Sequence, residues 1–237
     1  MNNSQIIAMG GGGFSMEPEN PLLDQYVIDC SGKTHPAVCF LPTAAAENPQ
    51  YSVNFYQAFS RLGCRCGHLS LFVQPQRDLE TWLRQFDIIY VGGGNTRCML
   101  ALWREWGLDG ILRNLWQDGV MMAGISAGAI CWFEQGVTDS VPGELTGMDC
   151  MGFLPGSCCP HYDSEEKRRP DFHRLVETGS VKPGYALDDG AAARFVNGQL
   201  VEIVTSRPNA QACYLEKTGG SVTERGLPTR FLGQRTD

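Results

Sequence analysis

The chain has 237 residues, of which 43% are hydrophobic and 19% charged, a composition that fits one large folded domain and argues against disorder. Its 19 Lys and Arg against 26 Asp and Glu residues give a formal net charge of −7, which argues against nucleic acid or an anionic membrane as the main partner. No stretch approaches the roughly 20 apolar residues of a membrane span.

Strands and helices are predicted to alternate through the first half of the chain. The predicted strands are Gln5–Met9, Ala37–Leu41, 67–72, 87–91 and the apolar run that ends just before Ser126. The predicted helices span 20–30, 49–62, 77–85, 97–106 and Leu108–Gln117. Repeated βα units of this kind predict an α/β fold with a mostly parallel sheet, helices on both faces and ligands at the carboxyl ends of the strands.

The second half of the chain is predicted to be richer in β-structure. Short antiparallel strands are expected at Gly184–Leu187, Ala191–Val196 and 200–205, with Asn197-Gly198 as a hairpin turn and a further strand at 213–216. The polar, glycine-rich stretch from about 218 to 237 is predicted to be a loosely attached tail of the single domain 1–237.

The run from Met122 to Ile130 is the most informative motif. It contains Gly124-Ile125-Ser126-Ala127-Gly128, the G-x-S-x-G pattern of a nucleophile elbow, between an apolar strand and the start of a buried helix. Small residues at Gly124 and Gly128 would let the strand and the helix pass close together beneath the serine. The backbone N–H of Ala127 would then point to where an oxyanion forms.

A serine hydroxyl needs a base within hydrogen-bond reach, and the sequence has four histidines, His35, His68, His161 and His173. Of these, His161 follows an apparent short strand and precedes a polar helix, a position expected at the ligand-binding edge. The other three fit a surface turn, a strand start and a solvated helix face. We therefore predict His161 as the base.

The acid that would orient this histidine is left open by the residues themselves. Asp139 lies between the serine and the histidine in sequence, and Asp163 lies two residues beyond the histidine and could turn back toward it. Glu134 and Glu144 also lie in the interval. Any one of these carboxylates could accept the Nδ1–H bond of a catalytic imidazole.

A second glycine motif, Gly92-Gly93-Gly94-Asn95-Thr96, follows the strand at 87–91. It lacks the Lys-Ser/Thr of a phosphate-binding P-loop and the spacing of a dinucleotide fingerprint. We predict instead that Gly93 or Gly94 supplies the second oxyanion N–H beside Ala127, and that Asn95 caps the helix after it.

These two glycine motifs, together with Pro160-His161-Tyr162, resemble the peptidase E family (peptidase family S51) over roughly residues 5–205. The resemblance implies a flavodoxin-like fold similar to class I glutamine amidotransferases. It implies Ser126 as nucleophile, His161 as base and an acid between them, for which Asp139 is the best positional match. Family members of the aspartyl dipeptidase type bind the substrate β-carboxylate with basic residues, and Arg97, Arg168 and Arg169 are the candidates here.

The expected function is therefore hydrolysis of short peptides by a serine-type peptidase. A different acyl hydrolase on the same elbow, such as an esterase or amidase, and a non-catalytic binding protein are the alternatives. Ten cysteines without framework or zinc spacing, and an N-terminus without a signal sequence, predict a cytoplasmic protein with reduced thiols. We expect a small peptide substrate, no nucleic acid or membrane partner, no metal and no cofactor, with a homodimer left open.

Overall fold

A computed structural model describes residues 3–73 and 76–234 of the chain. Its strands are β1 (Gln5–Met9), β2 (Ala37–Leu41), β3 (Arg65–His68), β4 (Ile88–Val91), β5 (Met121–Ile125), β6 (Phe133–Thr138), β7 (Thr146–Asp149), β8 (Leu154–Cys159), β9 (Gly184–Leu187), β10 (Ala191–Val196), β11 (Gln199–Thr205), β12 (Ala212–Thr218), β13 (Ser221–Gly226) and β14 (Thr229–Phe231). Its helices are α1 (Gly13–Met16), α2 (Leu22–Cys30), α3 (Pro49–Arg61), α4 (Leu79–Leu83), α5 (Thr96–Glu105), α6 (Leu108–Gln117), α7 (Ala127–Ile130) and α8 (Arg168–Glu177).

An eight-stranded sheet in the order β14-β11-β10-β1-β5-β4-β2-β3 forms the centre of the fold. Strands β1, β5, β4, β2 and β3 run parallel, whereas β10 is antiparallel to both of its neighbours. Every residue of β2 and of β4 is buried, as expected for parallel strands that are covered by helices on both faces. The predicted α/β class with a mostly parallel central region is confirmed.

A second sheet of six strands, in the order β13-β12-β9-β8-β6-β7, packs beside the first. Within it, β6, β8 and β9 run parallel, and the outer strands pair antiparallel. One cluster of buried side chains joins the two sheets and includes Met122 of the first and Phe133 and Cys158 of the second. The carboxyl ends of β8 and β9 lead into the segments that carry His161 and Asp189.

An aromatic cluster supports the N-terminal glycine loop on the other face of the large sheet. The ring of Phe14, which follows Gly10–Gly13, lies 5.6 Å from Phe40, 5.8 Å from Phe55 and 5.5 Å from Tyr90, centroid to centroid. Burial of each such side chain contributes about 1.5–3 kcal/mol. The cluster therefore fixes the loop at the carboxyl edge of β1.

The predicted elements of the first half are largely confirmed. Strands β1 and β2 and helix α6 have the predicted bounds, and Asn197 and Gly198 form the predicted hairpin turn with φ of 51° and 78°. The strand predicted at 67–72 instead lies at Arg65–His68, because Arg65 is the residue that pairs with Ala37 of β2. The apolar residues Leu69 and Leu71 are buried after that strand ends.

The prediction of a loosely attached tail is wrong for the described part of that segment, which ends at residue 234. Strand β13 pairs antiparallel with β12, and β14 pairs parallel with β11. Both additions cover strands that would otherwise expose unpaired backbone groups at a sheet edge. Residues 235–237 of the predicted tail lie outside the described part of the chain.

All ten cysteines are free thiols. Within residues 3–73 and 76–234, none of the helices combines the length and the apolar character that a bilayer crossing requires.

Candidate active site

Ser126 occupies a strained turn between β5 and α7. Its backbone has φ of 55° and ψ of −113°, an unfavourable conformation for a residue with a side chain, and its N–H donates to the carbonyl of Met9 at 3.0 Å. The turn is possible because β5 and α7 approach closely. A Cβ at Gly124 would lie 2.1 Å from the carbonyl oxygen of Gly128, and one at Gly128 would lie 2.2 Å from that of Val91. The motif therefore has the strand-turn-helix geometry of a nucleophile elbow.

His161 lies directly opposite the serine. Its Nε2 is 2.9 Å from Oγ of Ser126, which is hydrogen-bond distance for a nucleophile and its base. Like the serine, His161 has a left-handed backbone, with φ of 54°, in the segment between β8 and α8. The side chain is 12% exposed, so the ring is largely shielded but reachable from the serine side.

The carboxylate on the other side of the ring belongs to Asp189, not to Asp139. Nδ1 of His161 lies 2.6 Å from Oδ1 of Asp189, whose side chain is only 3% exposed. The expectation that Asp139 fills this position is wrong, because that residue follows β6 with a side chain 72% exposed and 3.9 Å from Arg168. An acid that accepts from Nδ1 has to lie on the buried side of the imidazole, and the turn after β9 is on that side.

The surroundings of Asp189 keep its carboxylate ionised. Burial by itself raises the pKa of Asp189, but hydrogen bonds from His161 and Ser164 and the electrostatic interactions with His161 and Arg207 together lower it below its usual value. Arg207 Nη1 lies 4.0 Å from Oδ2, and the backbone N–H of Asp189 donates to Oδ1 of Asp163 at 2.8 Å. A carboxylate held in this way stabilises a positive imidazolium beside it.

The other acids considered from the sequence are engaged elsewhere. Glu134 pairs with Lys182 at 2.7 Å and accepts the N–H of Gly156. Glu144 is 83% exposed and lies 3.7 Å from Arg174. Asp163 accepts the backbone N–H of Asp189 at its Oδ1.

The backbone amides predicted for an oxyanion site do not all remain free. The N–H of Gly93 donates to the hydroxyl of Tyr51 at 3.2 Å. The N–H groups of Gly94 and Ala127 have no hydrogen-bond acceptor within the described residues. Gly93 still lies close to the serine, since a Cβ there would lie 3.7 Å from Oγ of Ser126. Asn95 caps α5 as predicted, with its side chain accepting the N–H of Cys98 at 2.8 Å.

A polar cavity of about 320 Å³ opens onto the serine and the histidine. Arg168 forms part of its lining with a side chain only 3% exposed. Its Nε donates to Glu165 at 2.6 Å and its Nη1 to the carbonyl of Val137 at 3.0 Å. Nη2 lies 3.9 Å from Oδ1 of Asp139, which also lines the cavity.

The other two arginines considered from the sequence do not line this cavity. Arg169 donates to Glu224 at 2.7 Å, and its guanidinium lies 5.0 Å from the centre of the Tyr162 ring. Arg97 is exposed on α5. Of the three candidates, Arg168 is therefore the one positioned to meet a ligand beside the serine.

Comparison with known proteins identifies the relatives of this chain. The sequence profile of peptidase family S51 matches residues 6–203. The chain belongs to peptidase family S51. As a member of that family, it is 54% identical to the uncharacterized peptidase YgaJ of Bacillus subtilis over 229 residues, which cover 97% of this chain and 99% of the relative.

More distant relatives agree with this assignment. The chain is 28% identical to peptidase E of Haemophilus influenzae over 197 residues, 77% of this chain and 86% of that protein. The fold is also similar to a crystal structure of a peptidase from an acI-B1 Actinobacterium, with a TM-score of 0.66, 16% identity and coverage of 96% of this chain and 95% of that one. This S51 chain is thus a peptidase by family, and the structural similarity shows a shared fold.

Sequence reasoning found two of the three residues in the hydrogen-bonded series and missed Asp189. The signal was present, because Asp188-Asp189-Gly190 directly follows the predicted strand Gly184–Leu187. The acids predicted from the sequence lie between the serine and a position two residues beyond the histidine, whereas Asp189 lies 28 positions beyond His161.

Proposed function

We propose that this S51 chain is a serine-type peptidase in which Ser126 is the nucleophile, His161 the general base and Asp189 the residue that orients and stabilises the imidazole. The observation that carries the proposal is the continuous series of hydrogen bonds from Asp189 through His161 to Ser126, at 2.6 and 2.9 Å. In this order and at these distances, the imidazole can accept the proton of the serine hydroxyl while the carboxylate stabilises the imidazolium that forms.

The reaction begins when Oγ of Ser126 attacks the peptide carbonyl and His161 Nε2 accepts its proton. The N–H groups of Ala127 and Gly94 are proposed to donate to the oxyanion, because neither has an internal acceptor within the described residues. His161 then protonates the leaving amine, and the acyl group stays on the serine. A water molecule, activated by the same histidine, releases the acid and restores the enzyme.

The substrate is proposed to be a short peptide, and the enzyme a dipeptidase related to those that act on N-terminal aspartyl residues. The cavity beside the serine has a volume of about 320 Å³, which suits a substrate of one or two residues. An aspartyl side chain in this cavity would approach the guanidinium of Arg168, whose Nη2 lies at a long 3.9 Å from the carboxylate of Asp139.

A panel of matched substrates tests this proposal. Hydrolysis of Asp-Leu, Asn-Leu and Lys-Leu is compared with that of a short p-nitrophenyl ester, using wild type and Ser126→Ala. We expect the dipeptides to be cleaved with a preference for Asp-Leu, and all cleavage to be lost in the variant. Cleavage of the ester alone would contradict peptidase activity, and a preference for Asn-Leu or Lys-Leu would contradict the aspartyl assignment.

A further inference from the structure

The β12–β13 hairpin lies beyond residue 203, where the match to the family profile ends. Its first strand pairs with β9, the strand that leads into Asp189, with Leu215 opposite Gly184 and Ala212 opposite Leu187. Its second strand extends the six-stranded sheet at the edge. This placement brings the hairpin next to both segments that carry the imidazole and its carboxylate.

Glu224 of β13 is the centre of a polar cluster between the hairpin and α8. Its Oε2 accepts the hydroxyl of Tyr162 at 2.9 Å and lies 2.6 Å from Nε2 of His173, and its Oε1 accepts from Arg169 at 2.7 Å. Burial raises the pKa of Glu224, but these hydrogen bonds, a further one from Cys213 and the charge of Arg169 lower it overall. The carboxylate therefore stays ionised and connects the side chains of Tyr162, His173 and Arg169.

Tyr162 connects this cluster to the base. It directly follows His161, its side chain is buried, and its backbone N–H donates to the carbonyl of Leu187 at 3.2 Å. The guanidinium of Arg169 covers its ring, and the ring of Phe172 packs edge-on against it. Both the backbone and the phenol of Tyr162 are thus fixed.

The conformation of His161 needs such support. A non-glycine residue with φ of 54° carries backbone strain, and it keeps that conformation only when its neighbours hold it there. Tyr162 is the neighbour on the C-terminal side. The bond from its hydroxyl to Glu224 spans 62 positions in the sequence and ties this strained turn to the hairpin.

The hairpin also holds the acid side of the site. Gln211, the residue before β12, forms two hydrogen bonds with Asp188. The N–H of Asp188 donates to the carbonyl of Gln211 at 3.1 Å, and the N–H of Gln211 donates to the carboxylate of Asp188 at 2.8 Å. Asp188 directly precedes Asp189. The same hairpin therefore fixes the residue next to the base and the residue next to the acid.

We propose that the β12–β13 hairpin sets the position of His161 relative to Ser126, and that Glu224, acting through Tyr162, is its positioning residue. The inference rests on the proposed serine mechanism, because it concerns the geometry of that nucleophile and base. Glu224 touches neither substrate nor the reacting atoms. Its loss lets the turn at His161 relax and lengthens the contact between Nε2 and Oγ, on which activation of the serine depends.

A second cluster of the same composition provides a matched control. Glu202 of β11 accepts the hydroxyl of Tyr26 at 2.8 Å and pairs with Arg230 at 2.8 Å, so it repeats the Tyr-Glu-Arg arrangement of Tyr162, Glu224 and Arg169. The two glutamates are similarly shielded, with side chains 28% and 20% exposed. Neither Tyr26 nor Glu202 lines the cavity beside the serine. Substitution at Glu202 thus disrupts a partly buried polar cluster of the same kind without affecting the turn at His161.

The test measures the second-order rate at which a fluorophosphonate labels the full-length protein, which reports activation of the serine independently of substrate preference. We expect Glu224→Gln and Tyr162→Phe each to slow labelling by about tenfold or more, as for other small misplacements of catalytic groups. Their double variant should be no slower than the slower single one, because both break the same connection. Glu202→Gln should label at the wild-type rate, with thermal unfolding confirming that all variants are folded.

Labelling of Glu224→Gln and Tyr162→Phe at the wild-type rate would overturn the inference, as would equal slowing by Glu202→Gln. Ser126→Ala separates this result from the proposed function. If that variant still labels at the wild-type rate, the serine mechanism itself fails. If it does not label while the Glu224 and Tyr162 variants behave as wild type, only the role of the hairpin fails.

Discussion

The backbone of Gly11 lies directly against the carboxylate of Asp189. A Cβ at this position would be 1.9 Å from Oδ1 of Asp189 and 3.0 Å from Nδ1 of His161. No side chain fits there unless the hydrogen bond between these two residues breaks. The N-terminal glycine loop thus makes room for the side chains of Asp189 and His161.

Gly11→Ala is expected to abolish most peptidase activity while the protein remains folded. The added methyl group must displace Asp189 or His161, because the atoms it meets are the polar ends of these two side chains. Peptide hydrolysis and circular dichroism measure the two effects. Gly110→Ala is the control, since a Cβ at that helical position meets nothing within 4 Å and should leave activity unchanged. Full activity of Gly11→Ala would contradict the assignment of Asp189.

Asp189→Asn and Asp139→Asn should differ strongly in their effect on kcat. An asparagine at position 189 favours the wrong tautomer of the histidine, a change that costs up to about 10⁴-fold in other serine peptidases. An asparagine at position 139 changes an exposed side chain that lies away from the imidazole, so the loss should stay within about threefold. Steady-state hydrolysis of one dipeptide measures both variants, and the reverse order would restore Asp139 as the acid.

The buried carboxyl of Asp24 should make stability depend on pH. It lies among the aromatic rings below the glycine loop and accepts the hydroxyl of Tyr90 at 3.3 Å. Burial raises its pKa from 3.8 to about 7, despite hydrogen bonds from the Phe14 amide and Tyr90 that lower it. The folded state therefore holds a proton that the unfolded state has lost between about pH 4 and 7. The contribution of Asp24 to the free energy of unfolding therefore falls as the pH rises from about 4 to about 7.

Asp24→Asn lacks this titration, so the stability of the variant relative to wild type should increase as the pH rises. The free energy of unfolding is measured in urea at pH 5 and pH 8. Between these pH values, that of Asp24→Asn should rise relative to that of wild type by about 2–3 kcal/mol. Asp29→Asn, an exposed position on the same helix, is the control and should behave alike at both pH values. A pH-independent difference for Asp24→Asn would contradict the raised pKa.

The parts of the fold that the sequence predicted are those in which local patterns agree with the long-range structure. Strands such as Ala37–Leu41 are continuous apolar runs bounded by turns, and the elbow at Ser126 combines its motif with the glycines that its geometry requires. Their bounds follow from burial and backbone constraints that act within a few residues.

Asp189 and strand β13 could not be predicted in the same way. Asp189 reaches His161 because β8 and β9 are neighbours in the second sheet, a pairing between segments more than 20 positions apart that has no periodic signature. Strand β13 is polar and mostly exposed, so its composition is that of a loop. It becomes a strand because its backbone pairs with the edge of β12, with Leu215 opposite Glu224.

The proposed reaction depends on activation of the Ser126 hydroxyl by His161. Mass spectrometry of the wild-type protein after treatment with a fluorophosphonate, compared with His161→Ala under the same conditions, measures this activation. We expect one adduct, on the peptide that contains Ser126, and at least a hundredfold slower formation in the variant, consistent with the roughly 10²–10⁴-fold contribution of a general base. An adduct on another residue, or labelling of Ser126 at an unchanged rate without His161, would contradict the proposed reaction.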